Sequence, residues 1–174
     1  MLFDRHRNRV FRHACRFAAT RQDAEDLVAA AFLELWRLRR QVRLVDGSVL
    51  PWLLATTTNL GLNAARARRR YRRLLECLPR EHDHPDAAAV AMGARALGID
   101  GRLKDALRGL KLEDAQLLAL VALEGYSVRE AAACLQMSEP AARARIHRAR
   151  ARLQGELGRR GPAPTDLSGR EEVR

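Results

Sequence analysis

The sequence predicts an all-α fold of two small helical domains joined by a flexible linker, the second a helix-turn-helix four-helix unit. Three observations carry this. Ala, Leu, Arg and Glu dominate the composition, and all four are good helix formers. Strand-like alternation of Val, Ile and Thr is nearly absent, whereas apolar residues recur at helical spacing. Between the two helical stretches lies PREHDHPD, polar and acidic with two prolines, where the sign of the local charge changes. Of the 174 residues 47% are hydrophobic but only 5% aromatic, so the cores must be mostly Ala, Leu and Val.

Taken in order, residues 2–19 read as a first helix, with Phe3, Val10, Ala14 and Phe17 at helical spacing. Thr20 can cap a second helix, whose positive N-terminal end suits Asp23, Glu25 and Asp26. That helix runs to about Arg39 or Arg40, and a loop with Asp46, Gly47 and Ser48 follows. Pro51 sits where a helix start tolerates proline, and the third helix runs to about Arg73. The first domain thus spans 1–75 and the linker 76–99. The second domain, 100–157, should hold helices near 101–109, 113–124, 128–135 and 138–156. Residues 158–174 carry Gly, Pro and charge without periodicity, which predicts a disordered tail.

The formal net charge is +11, and the only lysines are Lys104 and Lys111, so nearly all positive charge is arginine. A general preference for Arg over Lys does not explain its placement: residues 1–75 hold 16 arginines against six acidic residues. Such a stripe is what a phosphate backbone attracts. No apolar run of transmembrane length and no signal-peptide pattern occurs, which predicts a cytoplasmic protein without membrane insertion. Cys15, Cys77 and Cys134, odd in number and widely spaced, suit a reducing compartment.

In the second helix Ala24, Leu27, Val28, Ala31, Leu35 and Leu38 form one stripe, enough to pack a helix into a small bundle. Phe32 and Trp36 fall on its shoulder and Leu33 further round, so the apolar arc is wider than one core needs. These residues either close the core against the neighbouring helices or form a docking face with an aromatic anchor and an acidic rim. The third helix carries a buried-type stripe of Leu53, Thr57, Leu60, Gly61 and Ala64, then six arginines within residues 66–73. Arginines so close repel one another, and a polyanion relieves the repulsion better than a merely solvated face does. Asn59 and Asn63, just before them, are residue types that can read bases.

Residues 127–153 read as a helix-turn-helix. Ser127 and Glu130 have capping-box spacing, and Gln136-Met137 form the turn. Ser138 caps the next helix with Pro140 in its first turn, and Ala142, Ile146, Ala149 and Leu153 keep one apolar stripe. Arg143, His147, Arg148 and Arg150 project elsewhere, as in a helix that enters the major groove. The alternative is an Arg-rich surface helix closing a bundle.

Together, DAEDLVAAAFLELWR (23–37) with LPWLLATTTNLGLNAARARRR (50–70) resembles the first conserved domain of the extracytoplasmic-function group of the sigma-70 family. YSVREAAACLQMSEPAARARIHRARARL (126–153) resembles its second. The resemblance implies that Asp23, Glu25, Asp26, Phe32 and Trp36 dock on the clamp helices of the largest subunit of the RNA polymerase core. It implies that Trp52, Asn59, Asn63, Arg66, Arg68, Arg69 and Arg70 act at the promoter −10 element, and Ser138, Arg143, Arg145, His147 and Arg148 at the −35 element. It further implies promoter DNA as partner, an inhibitory anti-sigma factor, no cofactor and no catalysis. Three departures bear on the second domain, one of them Ala131 in place of a larger aliphatic residue, which thins a small core. Pro140-Ala141-Ala142 replaces the family's usual Gly-Thr-Val, and Gln136 stands at a turn usually held by glycine. A left-handed backbone there costs Gln about 1 kcal/mol over Gly.

No catalytic constellation stands out among the histidines at 6, 13, 82, 84 and 147. Cys77, His82 and His84 lie close enough in sequence to share a metal, but in a solvated linker without an evident fourth ligand. A stand-alone helix-turn-helix regulator, or a chain that binds protein and no longer reads DNA, are the competing readings.

Overall fold

The structure, a computed structural model, describes residues 1–76 and 109–159, and these are helical throughout apart from the turns and one isolated bridge between Val45 and Ser48. Six helices follow in order: α1 (Leu2–Ala14), α2 (Arg21–Leu38), α3 (Leu50–Glu76), α4 (Leu112–Leu118), α5 (Val128–Cys134) and α6 (Glu139–Arg159). α4 continues through one π-helical turn, Ala119–Leu123. The linker from 77 onward, the helix expected at 101–109 up to residue 108, and the tail from 160 lie outside the described residues.

α1 stops earlier than its periodicity suggests. After Ala14 the chain tightens into short-range turns, Arg16 N donating to His13 O and Phe17 N to Ala14 O. The tightening keeps Phe17 and Ala18 buried and brings Phe17 against Gly61 of α3. A Cβ on Gly61 would lie 2.5 Å from the Phe17 Cβ, so that crossing demands glycine. Thr20 and Asp23 close a complete capping box at the start of α2. The chain reverses at Asp46-Gly47, both at positive φ (49° and 72°), with Val45 and Ser48 exchanging backbone hydrogen bonds. This is the two-residue turn that Asp-Gly favours.

α3 is the axis of the molecule. One side packs against α1 and α2, the other against α4, the π-helical turn and α5. Leu53, Leu54, Leu62, Leu117 and Leu120, drawn from both units, are fully buried in one continuous apolar cluster. Gln116 Nε2 donates to the Ala55 carbonyl across this seam, and Arg66 donates to the Leu110 carbonyl. The two units therefore pack directly on each other, a contact the sequence pattern does not announce.

In the second unit Ser127 and Glu130 form the expected capping box, and Gln136 adopts φ 56°, the left-handed backbone its turn requires. Ala142, Ile146 and Ala149 are buried as the stripe predicts. α6 runs to Arg159, two residues into the segment read from the sequence as tail.

Candidate docking and nucleic-acid interface

α2 buries Ala24, Leu27, Val28 and Ala31 and leaves its outer ridge open: Leu33 is 67% and Trp36 68% exposed. Phe32 is half-buried and meets Phe3 of α1 edge-on, ring centroids 4.8 Å apart. The shoulder residues thus divide: Phe32 partly closes the core, while Trp36 faces outward. The Arg39 guanidinium lies over the Trp36 ring at 4.7 Å and also donates to the Trp36 carbonyl. Beside this ridge Leu2, Phe3, Phe32, Leu35, Trp36 and Val49 help line an apolar groove of about 420 Å³. Arg39 and the exposed Leu44 line this groove as well, and the sequence reading did not single them out as part of it.

The acidic residues divide too. Glu25 and Asp26 are exposed on the first turns of α2 and accept hydrogen bonds from Arg21 and Gln22 of their own helix. Asp23 is engaged in the cap, accepting from the Ala19 and Thr20 amides, and pairs with Arg68 at 3.2 Å. Arg68 thereby ties the arginine end of α3 to the start of α2.

Along α3, Trp52 is half-buried, and Asn63 Nδ2 donates to Asn59 Oδ1 at 2.8 Å, one turn apart. Arg69 and Arg70 are exposed, and Arg66 is half-buried on the Leu110 carbonyl. Tyr71, Leu74 and Leu75 continue the exposed end of this helix. A 27-residue helix therefore carries a neutral amide pair followed by a guanidinium face. Both groups suit a nucleic-acid strand, the amides toward bases and the guanidiniums toward phosphates.

Ser138, just before α6, and Arg143, His147 and Arg148 on it are exposed, with Arg143 paired to Glu139 within the helix. Arg145 behaves differently. Its guanidinium is held by Glu113 and Asp114 of α4, so it fastens α6 to α4.

One cluster lies across the seam. Glu124, at the end of the π-helical turn, receives Arg9, His13 and Arg16 of α1 and the turn after it. His13 Nδ1 is 2.8 Å from Glu124 Oε1, and its Nε2 is 2.8 Å from the Thr58 hydroxyl on α3. Hydroxyl, imidazole and carboxylate in that order resemble a nucleophilic triad, but His13 and Thr58 are both fully buried. A substrate cannot reach them, and the arrangement joins two units instead. Burial alone would push Glu124 up, yet the hydrogen bond and charge of His13 together with Arg9 and Arg16 bring it down to about 2. Burial holds His13 below its ordinary range in spite of Glu124. Cys15 and Cys134 are buried, and burial raises the Cys134 thiol to about 11, which makes it unreactive. Among the described residues no His, Cys, Asp and Glu group could hold a metal ion, and no helix is long and apolar enough to cross a membrane. Cys77, His82 and His84 lie outside the described residues.

Comparison with known proteins gives matches in both units. The family model for sigma-70 region 2 matches residues 2–71, and that for sigma-70 region 4 matches residues 100–153. The ECF RNA polymerase sigma factor SigE of Mycolicibacterium smegmatis is 34% identical over 91% of this chain and 61% of its own length. This chain thus spans under two thirds of that relative. The RNA polymerase sigma factor CarQ of Myxococcus xanthus is 32% identical over 90% of this chain and 87% of its own length. Among solved structures, CnrH in complex with the cytosolic domain of CnrY is 25% identical at a TM-score of 0.53, over 92% of this chain and 87% of that one. The sigma factor RpoE of Bartonella quintana, bound to the anti-sigma factor NepR, shares the fold at a TM-score of 0.51 and 22% identity, over 87% of this chain and 91% of that one.

Proposed function

We propose the function that follows from the family to which this chain belongs, the extracytoplasmic-function (ECF) group of the sigma-70 family: it is an RNA polymerase sigma factor that directs the core enzyme to particular promoters and begins transcription there. The observation that carries the reading is one three-helix unit that exposes the Leu33–Trp36 ridge at the end of α2 and a guanidinium face at the opposite end of the unit, where Arg68 of α3 meets the start of α2. A helix that only packed its own core would turn that ridge inward.

In this reading Glu25, Asp26, Phe32 and Trp36 meet the clamp helices of the largest polymerase subunit, with Leu33 added to the ridge and Asp23 shaping its end through the cap. Trp52, Asn59 and Asn63 engage the opened −10 element, and Arg66, Arg68, Arg69 and Arg70 grip its backbone. Ser138, Arg143, His147 and Arg148 meet the −35 element, while Arg145 holds their helix in place through Glu113 and Asp114. The chain has no chemistry of its own and is not an enzyme. Binding energy toward the melted strand drives promoter opening. It works in the cytoplasm, where polymerase is. An anti-sigma factor covering these faces would silence it, in keeping with the inhibitor-bound state in which its relative RpoE was solved.

The test is capture of core polymerase by purified chain. Trp36→Ala is expected to weaken capture by about tenfold or more, as loss of an aromatic anchor does. Folding stability should stay within about 0.5 kcal/mol, because Trp36 is mostly exposed. Equal capture by both proteins would remove Trp36 from the docking face.

A further inference from the structure

Glu124 deserves a role of its own. It stands just before the helix-turn-helix, at the point where the second unit meets α1, and its side chain is 8% exposed. Three basic side chains converge on this one carboxylate, and Arg9 donates to both its side chain and its backbone carbonyl. The Arg9 guanidinium also lies over the Tyr126 ring at 5.7 Å. The π-helical turn ends in Glu124 N donating to Ala119 O, and Gly125 at φ 77° then reverses the chain. π turns of this kind are rare and occur frequently at functional sites. The packing of α3 on α4 holds the same seam, and there Arg66 is tied to the Leu110 carbonyl.

The closed arrangement sets a limit on reach. If the chain reads −10 and −35 elements, they lie about 25 base pairs apart, or roughly 85 Å at about 3.4 Å per step. A compact chain of this length has a radius of gyration of only about 16 Å and spans roughly 40 Å. The closed form therefore cannot touch both elements at once, although Arg143 and His147 on α6 and Asn63 and Arg70 on α3 are each exposed within it. Closure restricts simultaneous engagement rather than either surface alone.

We propose that Glu124, gripped by Arg9, His13 and Arg16, is a clasp that holds the two units closed on each other and keeps the free chain out of its two-element DNA-bound form. The proposal rests on the promoter reading above for its consequence, and on the seam geometry for its existence. Opening is then a population tax: the apparent Kd for a two-element promoter is the intrinsic Kd divided by the open fraction, and loosening the clasp lowers it again.

The test compares the unaltered chain with Glu124→Gln and with a double variant, Arg9→Ala and Arg16→Ala. The double variant releases the carboxylate from the solvent-facing side without leaving α1 charges unpaired, and circular dichroism checks that helix content is kept. Small-angle scattering should show a larger radius of gyration for both variants. With core polymerase, the chain concentration giving half-maximal transcript from a two-element promoter should fall by about three- to tenfold. Unchanged scattering in a folded variant, or an opened variant with unchanged half-saturation, overturns the clasp. Should wild type and variants alike give no transcript, the promoter reading falls, and scattering still decides whether the clasp exists.

Discussion

At the scale of single residues, backbone conformation and protonation set two measurable expectations. Gln136 sits at φ 56°, where a side chain is strained and glycine is not. Gln136→Gly is therefore expected to raise the stability of the helix-turn-helix by about 0.5–1 kcal/mol in denaturant melts. No change would mean the turn relaxes without strain. His13 is buried between the Glu124 carboxylate and the Thr58 hydroxyl, with Arg9 and Arg16 across Glu124. Burial, opposed by Glu124 and aided by Arg16, keeps its folded-state pKa below the ordinary 6.5. His13 meets the Glu124 carboxylate through Nδ1 and the Thr58 hydroxyl through Nε2, and that hydroxyl also donates to the Leu54 carbonyl. In the unfolded chain His13 takes up a proton near 6.5, so its contribution is complete above that pH and declines as pH falls below it. Glu124 adds a later loss, between its ordinary 4.5 and about 2. The denaturant midpoint should thus begin to drop as pH falls below about 6.5. His13→Gln should flatten that first step, and a wild-type profile already flat there would contradict the assignment.

At the scale of elements, caps and stripes were legible because they depend on residues three or four apart. Thr20 with Asp23, Ser127 with Glu130, and the buried faces of α2 and α6 all follow from local spacing. Helix ends were less legible. α1 gives up its last turn so that Phe17 can reach Gly61, a partner 44 positions away that no local window contains. The π-helical turn at Ala119–Leu123 is equally hidden, since its apolar residues fit an ordinary helix. The close approach at Gly61 yields a third prediction. Gly61→Ala forces Phe17 aside and should destabilise the first unit by about 1–3 kcal/mol in thermal melts, despite the better helix propensity of Ala. A stabilised variant would show that α3 can shift freely.

At the scale of the whole molecule, the two-unit architecture was readable from charge and composition, while the seam between the units was not. Glu124 is a lone carboxylate at the end of an apolar helix, and nothing in its neighbourhood points to Arg9 or His13 over a hundred positions earlier. The second buried side of α3 was likewise masked, because Leu54, Ala55 and Leu62 fall outside the stripe read from the sequence. The candidate DNA residues were readable as a set, but the structure divides them: Arg145, Arg66 and Arg68 make intramolecular contacts as well. A charge prediction follows for the assembled protein. Arg69→Glu with Arg70→Glu should weaken binding of promoter DNA uniformly and reduce the salt slope by about 0.7–0.9 per lost phosphate contact. An unchanged slope would place the strand elsewhere.

The most direct measurement is transcription reconstituted from core polymerase, this chain and fragments of its host genome. The chain is expected to produce discrete transcripts from a few fragments that core alone does not produce, and Trp36→Ala should diminish them. Absence of any chain-dependent transcript, with core active on a control sigma factor, would contradict the account at its centre.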